Sequence, residues 1–428
     1  MLLIAAKNQP SFGVFSLPGG PGSGNHGIMR PISLEPIDES PKATTTRIQA
    51  ALDSCGESGG GRVALEAGRY QSGTLRIPSG VELRLCHGAR LLAAEDPELF
   101  SIAGHHEESL TANPDLRALI VAIGETDIAL AGSGTIDGGG AWEEAPGWLI
   151  AQGIFRPAIA YLEGCRNVRI ESLNIVGAKW WTLHLRRCED VTIRQITMRS
   201  NWPNSDGIDP DGCRNVIISD CNLVCGDDCI VAKSTRGDPC ENLTITNCIL
   251  QTPCAAFKLG TESLGEFRNI CISNSILRGD VGFALYMKDG GIMENIQGTN
   301  LVIDTESAYP ILIDAMARDY QSGKPAGTIR NVQLSHCMVR GPGRVWLEGT
   351  PEQPLRNIRL ESIDWTLTAP LPESLPPKPD GSARVNIDPK RPAWQDLREH
   401  VLVINVENLT LASWKISGNV EGRFLPET

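Results

Sequence analysis

Three aspartates pose the first chemical question. In NWPNSDGIDPDGCRNVIISDCNLVCGDDCIVAKS, residues 201–234, Asp206 lies in one Asp- and Gly-rich turn and Asp227 with Asp228 in the next. Each turn runs into a short apolar strand, carrying Ile208 in the first case and Ile230 with Ala232 in the second, and the two isoleucines are 22 residues apart. If that interval is one turn of a repeat, Asp206 stands beside the Asp227 and Asp228 pair. Three like charges on adjacent turns repel, which keeps one carboxyl protonated among ionised neighbours. Hydrolysis of a glycosidic bond uses that split: an acid protonates the leaving oxygen while a carboxylate activates water or attacks the sugar. Calcium binding is the structural alternative for such a cluster.

The elements that would position these acids recur along the chain. Asn or Asp followed by an aliphatic residue appears at Asn167, Asp190, Asn215, Asn242, Asn269, Asn295, Asn331, Asn357 and Asn408, in steps of 23, 25, 27, 27, 26, 36, 26 and 51 residues. The step of 36 reads as one turn with an inserted loop, and 51 as two turns with one marker lost. A period near 26 is too short for a propeller blade, and the units lack the helical half of a leucine-rich repeat. Two or three short parallel strands per turn fit it: an all-β parallel β-helix, or solenoid. Cys165, Cys188, Cys213 and Cys240 each precede a marker by two residues, and Cys221, Cys248 and Cys337 follow one by six. Equivalent positions stack, so these thiols are expected in buried, reduced ladders. The marker asparagines are expected as buried amides bonding the backbone of their turns.

Ile48, Ala51, Leu52 and Cys55 fall at helical spacing, a short N-terminal helix capping the open end of the solenoid. Residues 1–40 read as an N-terminal extension and 41–428 as a single catalytic domain. The Pro-rich run 369–380 reads as a loop, and 400–428 as one or two final turns.

Strand alternation sorts the side chains. With Ile208, Ile230 and Ala232 inside, Asp209, Cys229, Val231 and Lys233 point out; Lys258, Tyr286, Lys288 and His184 point out of neighbouring turns. The outcome is a stripe of carboxylates beside a basic floor. Lys233, Lys258 and Lys288 would meet an anionic sugar as point charges. His184 either lines the sugar site or is a satisfied strand residue, and Trp202 is a candidate for stacking on a sugar face. For any single outward charge the plain alternative is a solvated face. A lyase working by β-elimination would also use Lys233 or Lys258, as proton acceptor, but leaves three clustered acids unexplained unless calcium sits among them. A carbohydrate-binding solenoid without catalysis is the remaining rival.

Bulk properties narrow the partners. The 428 residues are 41% hydrophobic and 21% charged, with 44 glycines to make turns. A net charge of −12 argues against nucleic acid, which wants a basic face, and no apolar run is long enough to span a membrane. The 13 cysteines lack the paired spacings of a zinc site, so neither metal nor cofactor is expected. Free cysteines in this number, with no signal-peptide pattern near Leu2–Ala6, point to the cytoplasm, or to a secreted or periplasmic setting if a signal peptide has been removed. Nothing in the sequence speaks to oligomeric state.

The segments NSDGID and GDDCIVAKS resemble the NTDG and GDDCIAIKS motifs of glycoside hydrolase family 28, the polygalacturonases and their kin. The resemblance extends over nearly the whole chain, from TTTRIQAALDSCGESGGGRVALEAGRYQSGTLRIPSGVELRL through GTIDGGGAWEE and RPAIAYLEGCRNVRI. It implies a right-handed parallel β-helix and hydrolysis with inversion, Asp227 acting as general acid and Asp206 with Asp228 holding the water. Two positions depart from the family pattern. Ala255 stands where the family's GHG motif has its His, and Tyr286 where the RIK motif has its Arg, while Lys288 keeps the RIK lysine. With Lys258 and Glu262 serving instead, the expected substrate is a pectin-like or other uronate-containing saccharide, in a different linkage or attacked by an exo-acting enzyme.

Overall fold

A computed structural model describes residues 31–105, 115–151, 153–317, 325–370 and 399–418. The backbone coils into stacked turns of three strands, a right-handed parallel β-helix. Ala158–Glu163, Arg166–Glu171 and Asn174–Val176 form one such turn. In the next two turns Leu183 pairs with Ile208, Val191 with Val216 and Met198 with Leu223, all in parallel. Inward positions stack as columns: Ile208 on Ile230, then Phe257, Phe283 and Ile311. All five are withdrawn from water, and each contributes about 1.5–3 kcal/mol for its burial.

Turn chemistry explains the marker asparagines, though not as expected. Asn215, Asn242 and Asn269 have φ of 56°, 59° and 58°, the left-handed region that Asn enters more readily than most residues. Their amides are exposed, and they bond one another rather than the backbone. Asn242 donates to Asn215, Asn269 to Asn242, Asn295 to Asn269, Asn331 to Asn295 and Asn357 to Asn331, at 2.8–3.2 Å. This ladder also corrects the reading of the longest interval. Asn408 donates to Asn357 at 3.1 Å, and Ile358 pairs with Leu409. The 51-residue step is therefore one turn carrying a long insertion. Beyond Pro370, the Pro-rich run lies outside the described residues.

The cysteines follow their phase, and all thirteen are free of disulfides. Cys229 is the exception to the alternation. It precedes the strand Ile230–Ser234 and packs into the core beside Cys225 instead of pointing out.

Helix Pro41–Glu57 closes the N-terminal end. Ser40 caps it by accepting from the Ala43 N–H at 3.3 Å, with Pro in its first turn. Ile48, Leu52 and Cys55 are its buried face. Ile32–Leu34, inside the stretch expected as an extension, adds a parallel strand along Val63–Leu65. One last turn, Val401–Ile404, Val406–Ala412 and Lys415–Ser417, ends the described solenoid. No described helix is long and apolar enough to cross a membrane.

Candidate active site

The two acidic turns sit so close that their glycines are obligatory. A Cβ on Gly207 would lie 2.4 Å from the Cys229 carbonyl oxygen, and one on Gly226 would lie 2.3 Å from that of Trp202. Main-chain bonds lock the turns in register: the Gly207 N–H donates to the Asp228 carbonyl at 2.9 Å. Ser205 Oγ donates to Trp202 O at 2.7 Å while accepting from the Gly226 N–H at 3.1 Å. The pairing of Ile208 with Ile230 then stacks Asp206 on the turn of Asp227 and Asp228.

Each carboxylate has a different environment. Asp228 is held on both sides, Oδ1 accepting from the Ala255 N–H at 3.0 Å and Oδ2 from Lys258 Nζ at 2.7 Å. Asp227 is half-buried; its Oδ1 accepts from the Asp228 N–H at 3.1 Å, and the Thr252 hydroxyl bonds its carbonyl. Asp206 is buried, with Oδ2 on Lys233 Nζ at 3.2 Å and Oδ1 without a donor among the described residues. Burial drives its pKa well above the ordinary carboxylate range; Lys233 opposes the rise, and Asp209, Asp227 and Asp228 add to it.

Asp209 pairs in register with His184 and is 0% exposed, although it points out of the strand. Its nearest cation is Lys233, 3.5 Å away. Burial pushes its pKa up to about 7, against the pull of Lys233 and with help from Asp228. Lys233 also reaches Glu262 at 3.4 Å and lies 4.2 Å from the centre of the Trp181 ring. Burial alone would lower its pKa, but Asp206, Glu262 and Asp209 together raise it well above the ordinary value.

The remaining candidates fall around this centre. His184 is buried between Tyr161 and Trp181, with Nε2 3.2 Å from Asp211. Asp211 also accepts from the Thr235 N–H and hydroxyl; burial would raise its pKa, but these partners outweigh it and hold it low. Lys258 and Lys288 each stand 5.5 Å from the Tyr286 ring centre, and Lys288 is ion-paired to Asp314. Trp202 is buried, its Nε1 donating to Ala141 O at 3.1 Å. The three lysines of the expected basic floor are thus all engaged by carboxylates.

Two further contacts come from the tertiary structure. Trp181 caps Lys233, and Arg156 lies 4.4 Å from the centre of the Trp180 ring. The WW pair was a visible signal for the first; nothing near Arg156 marks it.

The model of glycosyl hydrolases family 28 matches residues 71–364. An endo-polygalacturonase of Pectobacterium carotovorum subsp. carotovorum is 26% identical over 358 residues, 78% of this chain and 88% of that protein. A probable polygalacturonase of Vitis vinifera is 29% identical, over 51% of this chain but only 48% of its own length. Among solved structures, the polygalacturonase from Erwinia carotovora ssp. carotovora superposes with a TM-score of 0.63 at 21% identity, covering 80% of this chain and 94% of that one. A hyperthermoactive exopolygalacturonase from Thermotoga maritima gives 0.62 at 22% identity, covering 76% and 83%.

Proposed function

The chain belongs to glycosyl hydrolases family 28, and from that premise we propose that it hydrolyses, with inversion, a glycosidic bond in a pectic or other uronate-containing saccharide. The observation that carries this reading is the stacked carboxylate trio, in which each member has its own environment. Asp227, half-exposed at the rim, donates a proton to the leaving oxygen as the glycosidic C–O bond breaks. A water held by Asp206 and Asp228 attacks the anomeric carbon from the opposite face and passes its proton to Asp206 Oδ1, the oxygen without a donor among the described residues. Lys258 keeps Asp228 in place, and the Ala255 main-chain N–H adds a second anchor where the family pattern has a His side chain.

The lyase reading is disfavoured by the same geometry. Lys258 and Lys233 would have to act as bases, yet both have raised pKa values: burial would lower them, but facing carboxylates, Asp228 foremost for Lys258 and Asp206 for Lys233, prevail. A lysine held protonated cannot take a proton from a sugar.

Reducing-sugar release across pectic and other uronate oligosaccharides tests the proposal, with NMR of the nascent anomer to read stereochemistry. Asp227→Asn should lower turnover by about a thousandfold or more while leaving the melting curve unchanged. Retention of configuration, or ultraviolet absorbance from a new double bond, would overturn the reading.

A further inference from the structure

We propose that Arg156, stacked on Trp180, forms a subsite for the carboxylate of a uronate unit on the N-terminal side of the scissile bond. The inference rests on the hydrolase reading above and names which sugar that side of the cleft selects.

Lys233, Lys258 and Lys288 all face carboxylates of the protein itself, so the centre of the site is net acidic and repels a sugar carboxylate. Nearby arginines on the solenoid are spent likewise: Arg186 and Arg187 on Glu163, and Arg194 on Glu171. Arg156 differs from these. Its Nη1 donates to two neutral acceptors, Pro203 O at 2.8 Å and Asn204 Oδ1 at 3.2 Å, and no described carboxylate pairs with it. In a chain of net charge −12, a half-buried guanidinium without a counter-ion is costly unless a ligand supplies one. Consistent with that, burial pushes the Arg156 pKa down to about 10, and no described carboxylate holds it up.

Position and shape fit a sugar carboxylate. Arg156 lies two residues before the strand Ala158–Glu163, which pairs with Leu183–Arg186, which pairs with Ile208–Asp211. Two strand spacings, about 10 Å, separate its turn from that of Asp206. Aromatic rings bridge the interval: Arg156 lies on Trp180, Trp180 stacks with Trp181 at 6.1 Å, and Trp181 meets Lys233. The contact to Asn204 ties the guanidinium to the NSD turn two residues before Asp206. With Nη1 used, Nε and Nη2 of a fork pre-oriented by the indole remain to receive a planar carboxylate.

The test is a double cycle of protein charge and ligand charge. Trigalacturonate and its methyl ester are titrated calorimetrically into the Asp227→Asn protein, with and without Arg156→Gln. Arg156→Gln should weaken binding of the acid ten- to a hundredfold and the ester far less, collapsing the acid-over-ester preference. Arg156→Lys, which keeps the charge but not the fork, should fall between, and it carries the test if the Gln variant melts early. Equal losses on acid and ester, no loss on either, or failure of the Asp227→Asn protein to bind the acid would each overturn the proposal. The hydrolase reading fails separately, when the wild-type protein releases no reducing sugar from any member of the panel.

Discussion

Asp209 shows how burial at one residue becomes a property of the whole protein. It shares Lys233 with Asp206 and Glu262, so three carboxylates compete for one buried cation, and the charge of Asp228 adds to the rise. Its folded pKa of about 7 lies above the unfolded value of about 3.9. The folded state therefore binds more protons than the unfolded chain between those values. The stability this confers is complete below about pH 4 and is lost as pH rises through 7. Wild-type protein should accordingly melt at a lower temperature at pH 8 than at pH 5, and Asp209→Asn should flatten that decline. A variant that declines as steeply as wild type would move the effect to another group, with Asp206 the first to test.

At the scale of the repeating element, the asparagine ladder combines two stabilising contributions that substitution can separate. Asn269 holds φ at 58° while donating to Asn242 and accepting from Asn295. Asn269→Gly loses the amide bonds but keeps the backbone at ease, whereas Asn269→Ala adds a strained left-handed residue at about 1–2 kcal/mol. Asn269→Val adds a branched side chain to that strain. Urea midpoints should fall in the order Asn, Gly, Ala, Val. Equal losses for Gly and Val would mean that the amide chain, and not the turn conformation, is what the position needs.

For the molecule as a whole, a solenoid distributes stability between neighbouring turns, so an open end is its weak point. Helix Pro41–Glu57 covers that end with Ile48 and Leu52, both fully buried. Ile48→Asp places an uncompensated carboxylate under the cap and should cost about 3–5 kcal/mol. Fraying should begin at the first turns, far along the axis from the carboxylates. Hydrogen exchange should then rise first in Gly61–Leu65 and Gly68–Ser72, while exchange in Ile230–Ser234 stays slow; simultaneous loss in both would show a single cooperative unit instead.

Much of this architecture was legible in the sequence because a solenoid repeats its local rules. The 22-residue echo between Ile208 and Ile230 became an observed register pair, and alternation correctly turned Asp209, Lys233 and Lys258 away from the core. The interval of 51 residues misled because spacing alone cannot distinguish a missing marker from an insertion; only the bond between Asn408 and Asn357 decides. Cys229 misled because alternation holds within a strand and fails one residue before it. Alternation also gives a side chain's direction without saying what it meets. Lysines that looked like a floor for an anionic sugar are held by carboxylates reaching across adjacent turns, and Arg156, unremarkable in the chain, stands without such a partner among the described residues, beside the Trp180 and Trp181 stack. The three acids and their spacing were written in the sequence by itself. Which charges were left to meet a ligand was decided only by tertiary structure, because charge compensation depends on distances between turns that no single strand contains.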